Sequence, residues 1–336
     1  MMPIVLGPNQ PQRFYRGGAA IAAFRDMPVA GDHLPEDWVG STTCLFGRAE
    51  VGLTRLPTGE RLVDAIAGDP EAWLGPEHVR VHGSQPALLV KLLDAGERLP
   101  VHAHPDRDFA ARALGSGFGK TEAWIVLEAP ADACVFVGFQ HDVDRDVLSR
   151  WVVEQDRQAM LSALNQVRVR PGDAVLVPAG LPHAISEGLF LVELQEPTDF
   201  SVLLEWRGFD IDGMRDGHLG LGFETALDCV HRSGLQPGDL RRLLGPAPAG
   251  AETTSVLPTD ADPFFRADRH GPRAARLERG YSILVVTAGA GQLVSADAAL
   301  DIYRGMTLLV PFAAGDLELR GSAELIRCRP PDQRTP

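Results

Sequence analysis

Short apolar runs, each cut off by glycine or proline, set the pattern of this chain. Runs of this length, bounded by turn formers, predict β-strands at 86–93 (PALLVKLL), 122–128 (EAWIVLE), 133–139 (ACVFVGF), 174–178 (AVLVP), 189–196 (LFLVELQE) and 200–206 (FSVLLEW). After a gap the pattern resumes at 281–287 (YSILVVT), 306–311 (MTLLVP), 316–320 (DLELR) and 323–328 (AELIRC). Helical spacing is confined to 146–167 and to a stretch at 224–234 that ends on Ser233-Gly234. The aperiodic segment 243–263, rich in Pro, Ala, Gly and Thr, reads as a linker. It divides a larger unit, 1–242, with N-terminal strands and inserted helices, from a small β unit, 264–336. Both strand clusters carry a Gly-x5-Pro turn, at 172–178 (GDAVLVP) and 305–311 (GMTLLVP). The pattern predicts a mainly β protein of two barrels or jelly rolls with a few inserted helices.

Composition narrows the function. The chain has 336 residues, 45% hydrophobic and 23% charged, which suits a globular protein and is too apolar for a disordered one. A formal net charge of −13 argues against a general nucleic-acid or anionic-membrane binder, since either needs a basic footprint. No apolar stretch approaches the roughly 20 residues that cross a bilayer, and the start lacks the basic end and long apolar run of a signal peptide. Cys44, Cys134, Cys229 and Cys328 are scattered and form no CxxC pair, so neither a disulfide scaffold nor a thiolate zinc site is expected. A cytoplasmic protein is the expectation. Only two lysines, Lys91 and Lys120, occur in a chain that otherwise uses arginine, which draws attention to Lys120.

The chemistry concentrates in two stretches. In AGERLPVHAHPD (95–106), His102 and His104 are one residue apart, so on a strand both imidazoles face one space. In PGDAVLVPAGLPHAI (171–185), His183 follows a Pro-x-Gly turn. Between them, FGKTEAWIVLE places Glu122 at the head of a strand. Three neutral imidazoles and one carboxylate make a plausible divalent-metal site with positions left for water or substrate oxygens.

Gly96-x5-His102-x-His104 and Gly172-x5-Pro178-x-Gly180-x2-His183 resemble, in order, the paired motifs of the cupin superfamily, with a loop inserted before Glu122. That loop, HPDRDFAARALGSGFGKTEAW (104–124), resembles the type I mannose-6-phosphate isomerases, as do Glu-Asp-Trp-Val-Gly-Ser at 36–41, Pro178–Ile185 and Glu193-Leu194-Gln195. The likeness runs from about residue 36 to 207; beyond that only the layout matches.

The resemblance implies two cupin-type jelly-roll barrels and a metal held by His102, His104, Glu122 and His183, with His102 where the family usually has Gln. It implies one divalent ion per chain, zinc first, with Mn, Fe, Co and Ni as alternatives. The implied activity is aldose–ketose isomerisation of mannose 6-phosphate and fructose 6-phosphate, by proton transfer through a cis-enediol. Lys120 matches the family's lysine two residues before the metal-binding Glu, and Glu193 is a second acid/base candidate. The family's active-site arginine falls on Leu203; Arg207 is the nearest cation. Arg107 and Arg112, in the inserted loop, are the candidates to bind a phosphate. Other functions remain compatible with the residues: isomerisation of an unphosphorylated sugar, cupin oxygenase chemistry, and non-catalytic sugar binding. The expected partner is a small sugar or sugar phosphate, with no nucleic acid or membrane, in a monomer or homodimer. In the C-terminal unit Phe312-Ala313-Ala314 follows the Gly-x5-Pro turn where a histidine would be needed, so a structural role is expected there.

Overall fold

A computed structural model describes residues 1–246, 253–272 and 275–331. Its strands form two antiparallel sheet pairs. In the first pair, one five-stranded sheet runs in the order Glu36–Val39, Leu89–Asp94, Phe190–Gln195, Glu122–Glu128, Ala174–Val177. Facing it is a second five-stranded sheet in the order Val202–Leu203, His102–Ala103, His183–Ile185, Cys134–Phe139, Leu164–Arg168. The second pair joins a six-stranded sheet, in which Ile4–Leu6 pairs with Thr307–Val310, to a four-stranded one. The mainly β architecture with two sheet pairs follows the sequence expectation.

Alternation along the strands decides which residues meet. On Leu89–Asp94, Val90 and Leu92 pack outward against Ile283, Val285 and Leu309 of the six-stranded sheet, whereas Leu93 joins Trp124 and Leu191 between the two five-stranded sheets. The same parity sends Ile125 and Val192 to the outer core and Trp124 and Leu191 to the inner one. Lys91, Glu122 and Glu193 share the parity of the inner set. Both faces of this sheet are buried, which explains strands that read as unbroken apolar runs.

Several local expectations are corrected. The helical stretch 146–167 is two helices, Arg145–Glu154 and Arg157–Ala163, followed by a strand from Leu164. The break lies at Gln155, which takes a left-handed φ of 54° while its buried amide bridges Val152 O, Leu204 O and the backbone N–H of Trp206 and Arg207. At 224–234 only the turn Phe223–Ala226 and a 3-10 turn Leu227–Cys229 form. Of 200–206, only Val202–Leu203 is strand. The segment 243–263 holds the strand Thr253–Ser255 and the turn Thr259–Ala261; its residues 247–252 lie outside the described ones.

Candidate functional site

His102, His104 and His183 come together although their strands are distant in sequence. His102 pairs directly with His183 across the sheet, and the three rings lie 4.2–4.9 Å apart between centroids. Each ring is oriented by its Nδ1, which lies 2.8 Å from Pro100 O in His102, 2.7 Å from Phe200 O in His104 and 2.8 Å from Leu181 O in His183. A carbonyl oxygen only accepts, so every Nδ1 must carry the proton and every Nε2 is left with a lone pair. The potential ligand atoms lie within 4.8 Å of one another, and the Nε2 atoms of His104 and His183 are buried. Three acceptors that cannot bond to each other can be met by a cation between them, and this arrangement fits a divalent metal.

Glu122 completes the group. Its carboxylate lies 3.1 Å from His104 Nε2 and 3.7 Å from His183 Nε2. Burial holds the three imidazoles neutral, lowering His183 to about 3, and Lys120 adds to the effect at His104. Burial alone would raise Glu122, but the Lys120 ammonium 3.2 Å away favours its ionised form and it lies below the usual carboxylate range. Neutral imidazoles and an ionised carboxylate are the protonation states that bind metal.

The inserted loop is tied down at its neck. Lys120 N donates to Pro105 O at 3.0 Å, and a side chain at Gly119 would meet that same carbonyl at 2.7 Å, so the two ends of the loop touch. The helix Arg107–Leu114 starts on an Asp106 cap that accepts from Phe109 N. Lys120 turns inward, where its buried ammonium lies 3.2 Å from Glu122 and 3.2 Å from Ser201 Oγ. At the second motif, Gly180 takes a φ of +89° and has the His231 ring 2.6 Å from where a Cβ would be, so glycine is required there.

One cavity opens from this cluster, lined by His102, Glu122 and Lys120 on one side and by Arg13, Glu36, Lys91 and Glu193 on the other. Glu193 stands directly across from Lys91 in the sheet, 3.0 Å between charges. Burial and the nearby Glu122 raise Glu193 to about 7, against the pull of Lys91 and Lys120. Lys91 also reaches Glu36 at 3.3 Å and stands over the Trp38 ring. Glu36 in turn accepts from Tyr15 Oη and Trp38 Nε1 and pairs with Arg13 at 3.2 Å. Arg13 reaches Asp199 at 3.3 Å.

The other candidates are placed elsewhere. Arg207 donates to Glu154 O, and it does not line the cavity. Arg107 pairs with Glu196 at 2.6 Å and covers the Phe264 ring; Arg112 is exposed. Neither lines the cavity. Leu203, where the family arginine was expected, pairs with His102 and forms part of the cavity wall.

Arg13, Tyr15, Glu36 and Lys91 were not among the expected site residues, although Glu36 opens the Glu-Asp-Trp-Val-Gly-Ser stretch. Lys91 had a signal: it is one of two lysines and interrupts an apolar strand. Arg13 and Tyr15 had none, because they come from a segment without periodicity. Among the described residues, no other group of three His, Cys, Asp or Glu is placed to hold a metal, and no helix is long and apolar enough to cross a membrane.

No family model matches the chain. It is 26% identical over 262 residues to the mannose-6-phosphate isomerase ManA of Bacillus subtilis (strain 168), covering 76% of this chain and 79% of that one. It is also 26% identical over 273 residues to the mannose-6-phosphate isomerase of Streptococcus mutans, covering 77% and 80%. Among solved structures, the mannose 6-phosphate isomerase from Bacillus subtilis aligns with a TM-score of 0.76 at 21% identity, covering 98% of this chain and all of that one. A mannose 6-phosphate isomerase bound with zinc and yttrium aligns with a TM-score of 0.73 at 15% identity, covering 99% and 100%. Relatives by sequence and neighbours by fold therefore agree with the resemblance carried by the chain's own motifs, which is to the type I mannose-6-phosphate isomerases of the cupin superfamily.

Proposed function

We propose that this chain is a metal-dependent aldose–ketose isomerase acting on the mannose–fructose pair, whose 6-phosphates give its relatives their name. The observation that carries the proposal is the set of three Nε2 lone pairs aimed at one point beside Glu122 and Lys120. His102, His104, Glu122 and His183 would hold the metal, with zinc the first candidate. When bound, a divalent cation supplies Lewis acidity to the sugar oxygens.

The chain's own residues handle the protons. Isomerisation removes a proton from C2 of the aldose and returns one to C1, while the hydroxyl proton passes from O2 to O1; between the two steps O1 and O2 share the negative charge of the cis-enediolate. Lys120, fixed between Glu122 and Ser201, is the proton carrier beside the ligands. Glu193, raised to about 7, can take and give a proton near neutrality and is the second acid/base group. Arg107 acts indirectly, clamping the inserted loop to Glu196, which also accepts from Thr121 N next to Glu122. Arg207 has no part. The second sheet pair, formed in the main by the described residues between 264 and 331, serves as a structural unit packed on the first. A cytoplasmic site of action fits four free cysteines, three of them buried.

The test is to strip metal from the protein, restore zinc, and assay mannose and mannose 6-phosphate for the corresponding ketose. Ketose formation that needs the restored metal is the expected result. Full activity in the stripped protein would refute the proposal.

A further inference from the structure

The charges around the cavity bear on which sugar enters it. Arg13, Lys91 and Lys120 are the arginine and lysine residues in the lining, and Glu36, Glu122 and Glu193 are the carboxylates. Each cation is already committed. Arg13 holds Glu36 and, behind the wall, Asp199 at 3.2 and 3.3 Å. Lys91 holds Glu36 and Glu193 at 3.3 and 3.0 Å, and Lys120 holds Glu122 at 3.2 Å. Two arginines on neighbouring segments are committed as well, Arg98 to Glu205 and Arg107 to Glu196.

A phosphate monoester brings close to two negative charges and three acceptor oxygens, and burying it calls for cations or N–H groups free to meet it. Among the described residues the arginines and lysines of this lining are all paired, and the lone Trp124 Nε1–H is a neutral donor left unpartnered, too little for a dianion and suited to a hydroxyl. The remaining wall combines the apolar Phe14, Leu93, Leu99, Pro100, Ile185 and Leu203 with the neutral polar groups of Tyr15, His102, Trp124 and Ser201. Leu203, an apolar side chain, stands directly opposite His102 in the sheet and adds no charge to the wall there. Paired charges that can exchange partners with hydroxyl groups, beside an apolar wall for C–H faces, match an uncharged polyhydroxylated ligand.

We infer that the cavity selects an unphosphorylated hexose over its 6-phosphate, an inference that rests on the isomerase assignment. To meet a phosphorylated substrate, the described cations of the lining would have to leave Glu36, Glu122 or Glu193 unpaired beside it, and like charges placed together are strongly selected against.

The full chain loaded with zinc is assayed with D-mannose and with mannose 6-phosphate under identical conditions. In parallel, the shift in Tm is measured with D-mannitol and with inorganic phosphate, which report binding without turnover. The expected result is a kcat/KM for D-mannose at least about tenfold above that for the phosphate, with stabilisation by mannitol and none by phosphate. A preference for mannose 6-phosphate, or stabilisation by phosphate alone, overturns the inference while leaving the isomerase assignment intact. If neither sugar turns over but mannitol still stabilises, the isomerase assignment fails and neutral-ligand selection stands. Failure of both turnover and mannitol binding overturns both.

Discussion

The two sheet pairs share a layout and a Gly-x5-Pro turn, yet their interiors differ in kind. Between the sheets of the second pair lie Leu284, Val286, Leu308, Val310, Leu319 and Leu325, an apolar core. The first pair encloses His104, Lys120, Glu122, His183 and Glu193, all buried. Buried ionisable groups cost stability unless paired, and every one of these is paired or shifted in acidity by its neighbours. The turns show where the two diverge: after Pro178 the chain reaches His183, whereas after Pro311 it enters a 3-10 turn, Phe312–Ala314. One interior has given up apolar packing for buried ionisable groups; the other is apolar throughout its described residues.

That contrast can be broken by substitution. The largest effect is expected from His104→Ala, which removes one of three convergent Nε2 donors: metal affinity, read by titration with zinc, should fall by about 100-fold or more, and activity with it. Lys120→Met should keep the metal and lower kcat by about 10²- to 10⁴-fold, separating the proton carrier from the ligands. Glu193→Gln should cost less, about 10²-fold, and change the pH profile. In the unaltered protein kcat/KM should rise with pH through about 7 as Glu193 loses its proton, and that limb should vanish in the variant. The smallest effect on activity belongs to the other interior. Leu308→Ala should cost about 2–5 kcal/mol in a denaturant titration, with zinc affinity and kcat unchanged. A loss of metal from this variant would show that the two interiors are coupled.

The clamp at Glu196 shows how the inserted loop is drawn into the same site. Its carboxylate takes Arg107 from the loop helix and the backbone N–H of Thr121 beside Glu122. The arginine expected to meet a phosphate therefore anchors the loop that carries Lys120. Arg207, the other cation expected in the cavity, is drawn off by the carbonyl of Glu154 and by the buried Gln155 amide, which captures its backbone N–H.

The strands around the site were legible because apolar runs between turn residues leave little choice of structure, and 122–128 matches its expectation residue for residue. The convergence of His102, His104 and His183 was legible because HxH spacing and the Pro-x-Gly turn are local properties of the chain. Short strands such as His102–Ala103 and Val202–Leu203 exist only through their partners and left no pattern of their own. The break at Gln155 was equally invisible, since it depends on carbonyls and N–H groups from residues 152 and 204–207.

By itself, then, the sequence determined a mainly β chain, the identity of four metal-ligand candidates and the lysine beside them, because alternation and motif spacing act over a few residues. Only the tertiary structure decided that Lys91 and Glu193 face each other, that Arg13 and Tyr15 reach Glu36 from a distant segment, and that the three histidine Nδ1 atoms are spent on carbonyls. Those relations depend on strand register and on burial, where each charge must find its partner from whatever part of the chain the fold brings near.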